Sequence, residues 1–188
     1  MANNGAGHIA ALIERMGRLM NSDAHAGALL PVQWEVLRYL ARANRFSRTP
    51  AALGAYLGLT KGTVSQTLRV LEGKGFVCKG VDPRDRRRRR LSLSQEARRL
   101  LREDPLAETA AAARHLSERQ RETLTGTLES MLRVRLAARH RQPFGMCRDC
   151  RYFARRHAVG APHYCLLLKE PLAEEESLAI CHEQRPVA

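Results

Sequence analysis

The chain has 188 residues, a formal net charge of +13, and 44% hydrophobic residues with only 5% aromatics, which suits a Leu- and Ala-rich helical globule and excludes a disordered polypeptide. The charge calls for a polyanionic partner, nucleic acid or an anionic surface, yet no apolar run approaches the roughly 20 residues that cross a bilayer and the N-terminal MANNG lacks the features of a secretory signal. A cytoplasmic location without a membrane partner is expected, where five cysteines point to metal or redox chemistry rather than to stable disulfides.

Ile9, Leu12, Ile13, Met16, Leu19 and Met20 recur at helical spacing and predict a first amphipathic helix ending near Asn21 to Asp23. A second helix follows Pro31, with Trp34, Val36, Leu37 and Leu40 inward. Thr49 before Pro50 reads as an N-cap with proline at the first helical position, and Gly58 as the stop of a short third helix. Thr60 then caps a fourth helix through about Glu72, with Val64, Leu68 and Leu71 inward, which is the grammar of a helix-turn-helix. Gly73 and Gly75 end it. Phe76 to Cys78 and Leu91 to Leu93 read as two short strands, with the arginine-rich segment between them as a hairpin tip, or wing.

Beyond the wing, Ser94 caps a helix carrying Ala97, Leu100 and Leu101, interrupted around Asp104 and Pro105. Ser117 and Gln120 form a capping box for a long helix on which Leu124, Leu128, Met131, Leu132 and Leu136 continue the apolar pattern. That stripe needs a partner surface, and a second copy of the chain is the simplest one. The expected fold is mainly α: a winged helix-turn-helix with a two-stranded wing, flanking dimerisation helices and a small cysteine-rich C-terminal module. The expected division is 1–141 for the winged unit and 142–188 for the module.

Residues 59–75 (LTKGTVSQTLRVLEGKG), 82–88 (DPRDRRR) and 91–94 (LSLS) resemble the recognition helix and wing of the multiple antibiotic resistance regulator (MarR) family of bacterial winged-helix repressors, and the likeness extends over about Ile9 to Leu136. The resemblance implies a homodimer on a palindromic duplex, recognition helices in successive major grooves, wings in the adjacent minor grooves, and a small-molecule effector. By motif position it assigns Lys61, Thr63, Ser65, Gln66 and Arg69 to the recognition helix and Arg86, Arg87 and Arg88 to the wing. The residues alone agree. Gly62, Ser65, Gln66 and Arg69 lie opposite the apolar face of their helix, where Gln66 and Arg69 can bond base edges, and an arginine tip suits a narrow minor groove. No phosphate-binding loop, nucleophile elbow or carboxylate pair supports an enzyme. The rival is a nonspecific basic module for nucleic acid or a membrane surface.

The module carries Cys147, Cys150, Cys165 and Cys181 in the spacing C-x2-C-x14-C-x15-C. Four cysteines within 35 residues predict one metal centre per chain. The spacing is similar to that of high-potential iron-sulfur proteins, which favours an iron-sulfur cluster over zinc, and a helix is expected across Leu172 to Ile180. The centre would either sense redox state, iron or oxygen, or serve as a structural zinc clip in a ligand-responsive regulator. His163 and His182 are alternative ligands by position, and Cys147 with Cys150 could instead form a thiol-disulfide switch. Cys78 reads as a small packing residue.

Overall fold

The structure, a computed structural model, describes residues 5–25, 29–81, 89–156 and 162–187. Helix α1 (Gly5–His25) runs two residues past the stop read at Asn21 to Asp23, because Ala24 is buried against the next helix and packing there outweighs the poor local propensity. Helices α2 (Pro31–Arg42), α3 (Pro50–Leu57) and α4 (Lys61–Gly73) form a three-helix unit. Thr49 Oγ1 accepts from the Ala52 N–H at 3.2 Å and Thr60 Oγ1 from the Thr63 N–H at 3.2 Å, so both expected caps form. Gly58 closes α3 in the left-handed region (φ 69°), where a residue with a Cβ would be strained.

The core is built from Trp34, Val36, Leu37, Tyr39 and Leu40 of α2, Leu53 of α3, and Val64, Leu68 and Leu71 of α4. Strands β1 (Val77–Val81) and β2 (Arg89–Leu93) pair antiparallel in the register Val77 to Leu93 and close this core with Val77 and Leu91. The expected wing tip, including Arg86, Arg87 and Arg88, lies outside the described residues. Together these elements are a winged helix-turn-helix.

Ser94 caps α5 (Gln95–Leu100), and a 3-10 turn at Leu101–Glu103 and Pro105 separate it from α6 (Leu106–Arg114). Asp104 at that break holds Arg38 of α2, accepting from Nε at 2.8 and 3.0 Å. Helix α7 (Glu118–Ala137) opens on the expected Ser117 and Gln120 capping box and buries no residue. Leu124, Leu128 and Leu132 on α7, and Ile9, Leu12, Ile13, Met16 and Leu19 on α1, stand exposed.

After α7 the chain turns back through His140 (φ 50°) and docks on the winged unit. Strand β3 (Gly145–Met146) pairs with β7 (Ile180–Cys181), and β4 (Phe153–Arg155), β5 (His163–Cys165) and β6 (Glu170–Leu172) make a small antiparallel sheet. The helix expected over Leu172 to Ile180 is instead one 3-10 turn, Glu175–Leu178, because the segment begins in β6 and must end in β7, leaving room for a single turn.

Candidate nucleic-acid interface and cysteine module

Helix α4 divides cleanly into two faces. Val64, Thr67, Leu68 and Leu71 are buried, while Lys61, Thr63, Ser65, Gln66 and Arg69 are all exposed. The structure therefore brings the five residues assigned to the recognition helix onto one solvent face. Arg69 Nη1 donates to Gln66 Oε1 at 3.2 Å, which pre-orients these two side chains. Thr63 differs, because its hydroxyl lies 2.9 Å from that of Thr60 and takes part in the helix cap. Gly54 of α3 lets the two helices approach: a Cβ there would stand 3.2 Å from Val64 Cγ2.

At the base of the wing the structure gathers cations that sequence patterning missed. Arg48, in the α2–α3 loop, is half-buried and donates through Nε to the Ala43 carbonyl at 2.9 Å. Burial, together with the nearby Arg98 of α5 and Arg90 of β2, makes it harder to protonate than an ordinary arginine, with Glu176 acting in the opposite sense. An arginine stays charged regardless, so the cluster stores repulsion that a polyanion relieves. Arg48 and Arg98 come from separate elements with no shared periodicity, so nothing local in the sequence marks them. The Arg48 carbonyl also accepts from the Leu91 N–H at 2.7 Å, fastening this loop to the wing.

The same loop receives the C-terminal module on its other side. Asn44 N–H donates to the Ile180 carbonyl at 2.9 Å and His182 N–H to Ser47 Oγ at 2.7 Å. Arg45 pairs with Glu176 and Glu170 and donates to the Pro171 carbonyl at 2.6 Å. Phe144 meets Tyr56 edge-on with ring centroids 5.1 Å apart, and Ile180 enters the principal core cluster. The sequence contains one clue to this docking, the polar Asn44 in a loop, which proves almost fully buried.

The metal centre expected at Cys147, Cys150, Cys165 and Cys181 is not supported. Among the described residues no group of three or more histidine, cysteine, aspartate or glutamate side chains is placed to hold a metal ion, so neither an iron-sulfur cluster nor zinc is assigned. Phe144, Leu172, Ile180 and the Arg45 ion pairs order the module by docking it on the winged unit. His163 instead sets Nε2 3.0 Å from Glu174. All five cysteines are free thiols, and Cys78, expected to pack, is exposed.

Four of the thiols nevertheless border a common space. Cys147, Cys150, Cys165 and Cys181, with Phe153 and Leu172 among their neighbours, line a cavity of about 20 Å³. Cys147 and Cys181 are both buried. Asn44 Nδ2 donates to Cys147 Sγ at 3.2 Å, and Arg185 N–H to Cys150 Sγ at 3.4 Å. The hydrogen bond from Cys147, with further help from Asn44 and the Glu183 backbone, outweighs burial and pulls the Cys181 thiol down to about 6. The same mutual hydrogen bond, with burial, pushes Cys147 far up. Cys165 is raised by burial.

Residues 29–88 match the profile of the MarR family. The S. aureus MepR–DNA complex is similar in fold, with 25% identity over 66% of this chain and 96% of that one and a TM-score of 0.53. S. aureus MepR in its DNA-binding conformation is 23% identical over 70% of this chain and 98% of its own, with a TM-score of 0.59. CouR from Rhodococcus jostii RHA1, bound to p-coumaroyl-CoA, is 23% identical over 69% and 95% respectively, with a TM-score of 0.55. No curated protein sequence matches the chain.

Proposed function

We propose that the chain is a homodimeric, sequence-specific DNA-binding transcriptional regulator of the MarR type, without catalytic activity of its own. One observation carries the reading: the exposed polar face of α4, with Gln66 and Arg69 bonded together, stands beside a wing whose base gathers Arg48, Arg90 and Arg98. The helix face provides base-edge readout and the arginines provide phosphate affinity, the two separable parts of duplex recognition. The family match over residues 29–88 covers the helix-turn-helix, and the S. aureus MepR–DNA complex is one of the similar folds. No helix among the described residues is long and apolar enough to cross a membrane.

The exposed apolar stripes of α1 and α7 are read as the dimer interface, which sets two recognition helices at the spacing of a two-fold operator. A cavity of about 280 Å³ bordered by Met20 and Asn21 of α1, Glu35 and Arg38 of α2, and Leu106 of α6 is the place for a small-molecule effector, since it lies between an interface helix and the winged unit. CouR, with its bound p-coumaroyl-CoA, provides a precedent for an acyl-type ligand on this fold.

The test is selection of binding sites from a random duplex library, followed by fluorescence anisotropy on a recovered site and on a scrambled duplex. Arg69→Ala is expected to cost about 1–3 kcal/mol on the recovered site and to leave scrambled-duplex binding nearly unchanged. Arg48→Gln with Arg90→Gln is expected to weaken both duplexes and flatten the salt dependence. Failure to enrich any sequence, or an unchanged affinity ratio in Arg69→Ala, overturns the reading.

A further inference from the structure

We infer that Arg141, in the link between α7 and the C-terminal module, binds a phosphate of the duplex beside the start of the recognition helix, so that each protomer adds a backbone contact from outside the winged unit. The proposal rests on the regulator reading above and deepens it by naming a binding residue that lies beyond the matched residues 29–88. Its basis is a juxtaposition of residues far apart in the sequence: the Arg141 guanidinium lies against Gly58, which closes α3 in the turn that leads into α4. A Cβ at Gly58 would stand 2.7 Å from Arg141 Cζ and closer still to Nη1, so the guanidinium occupies the space that a side chain would fill there.

Two anchors hold the backbone of this arginine in place. On one side, α7 ends in a Schellman closure: His140, in the left-handed region (φ 50°), donates its N–H to the Ala137 carbonyl at 3.0 Å, and the Arg141 N–H donates to the Leu136 carbonyl at 2.9 Å. On the other side, Gln142 Nε2 donates to the His182 carbonyl, and Phe144 packs edge-on against Tyr56 of α3. The fold has therefore already ordered this stretch before a duplex arrives, and only the exposed side chain loses freedom on binding.

The guanidinium is available to an external anion. Arg38 is taken by Asp104, Arg45 by Glu170 and Glu176, and Lys79 by Glu72, whereas Arg141 is exposed and has no carboxylate partner among the described residues. Its place suits a phosphate rather than a base. The N-terminal residues of a recognition helix enter the major groove, so the turn before them lies over the strand that borders it. Gly58 is separated from the exposed Lys61 by at most about 11 Å of chain, less than the roughly 12 Å width of that groove. Arg141 thus stands at the groove edge, where its planar fork can give two parallel N–H···O bonds to one phosphate.

The experiment is fluorescence anisotropy of the full chain on the recovered and the scrambled duplex from roughly 50 to 200 mM NaCl. It compares the wild type with Arg141→Gln, Arg141→Lys and Arg114→Gln, the last being the same loss of charge at the exposed end of α6. Two protomers that each give up one phosphate contact should reduce the slope of log affinity against log salt by about 1.8, so the same rise in salt should cost Arg141→Gln about twelvefold less affinity than it costs the wild type. The affinity lost at low salt should be similar on both duplexes, because a phosphate contact reads no sequence. Arg141→Lys keeps the charge and should keep the wild-type slope. An unchanged slope in Arg141→Gln, a loss confined to the recovered duplex, an equal change of slope in Arg114→Gln, or the same change in Arg141→Lys overturns the proposal. A wild-type chain that enriches no sequence would instead overturn the regulator reading, so the two failures are told apart.

Discussion

Replacing Ile180 by alanine tests whether the C-terminal module and the winged unit share one core. Ile180 is 6% exposed and belongs to the same cluster as Trp34, Leu37 and Leu68, while Leu178, two residues earlier, is 56% exposed. Removing three buried carbons forfeits about 2.4 kcal/mol of transfer free energy at about 0.8 kcal/mol each, and the residual cavity raises the expected cost to roughly 3 kcal/mol. Leu178→Ala should cost less than about 0.5 kcal/mol. Urea unfolding of both variants, followed by tryptophan fluorescence, measures the difference, because Trp34, the chain's one tryptophan, lies in the core of the winged unit. Hydrogen exchange should show amides in the Ala43–Arg48 loop opening faster in Ile180→Ala. A tryptophan transition unmoved relative to Leu178→Ala would refute the shared core.

Leu128→Asp with Leu132→Asp places two charges on the exposed stripe of α7 and is expected to convert a dimer to monomer by light scattering at micromolar concentration, with loss of operator binding; a stable wild-type monomer would remove the basis for the dimer. Asp104 offers a pH-dependent test. Burial alone would raise its carboxyl, but the Arg38 hydrogen bonds and the Leu106 N–H bring it below the ordinary carboxylate range. A depressed folded-state value means the contribution is fully present above the unfolded carboxylate value and is lost as pH falls through the folded one. Asp104→Asn should therefore lower stability by roughly 1 kcal/mol at pH 7, a difference that narrows in acid, and equal differences at pH 7 and pH 3 would contradict the pairing.

Much of the winged unit was legible because its signals are local. Thr49 with Pro50, Thr60, Ser94 and the Ser117–Gln120 box each specify a helix start through side-chain caps that form as expected, and Gly58 ends a helix through its left-handed backbone. The polar face of α4 was equally plain, because period 3.6 alone separates Gln66 and Arg69 from Leu68 and Leu71. The module was less legible. Its cysteine spacing suggests a ligand set, because nothing in residues 142–188 taken alone reveals an outside surface to pack against. That surface is the Ala43–Arg48 loop, where Asn44, Arg45, Ser47 and Arg48 follow no period and look like an ordinary polar connection.

The same loop explains why long-range contacts matter to the fold here. An α2–α3 connection in a helical unit needs only to span a short gap, yet this one contains a nearly fully buried asparagine and a half-buried arginine. Burying such groups is unfavourable unless each is bonded, and their partners lie on three different elements: Cys147 and Ile180 of the module, Leu91 of the wing, and the neighbouring turn. Satisfying all of them at once fixes one relative position of module and wing. A change that removes one partner leaves a buried polar group unpaired, and the loop must then move to re-solvate it or to find another. A loop satisfied from both sides therefore ties the position of Arg48 at the wing base to the seating of the C-terminal module on the opposite side of the same six residues.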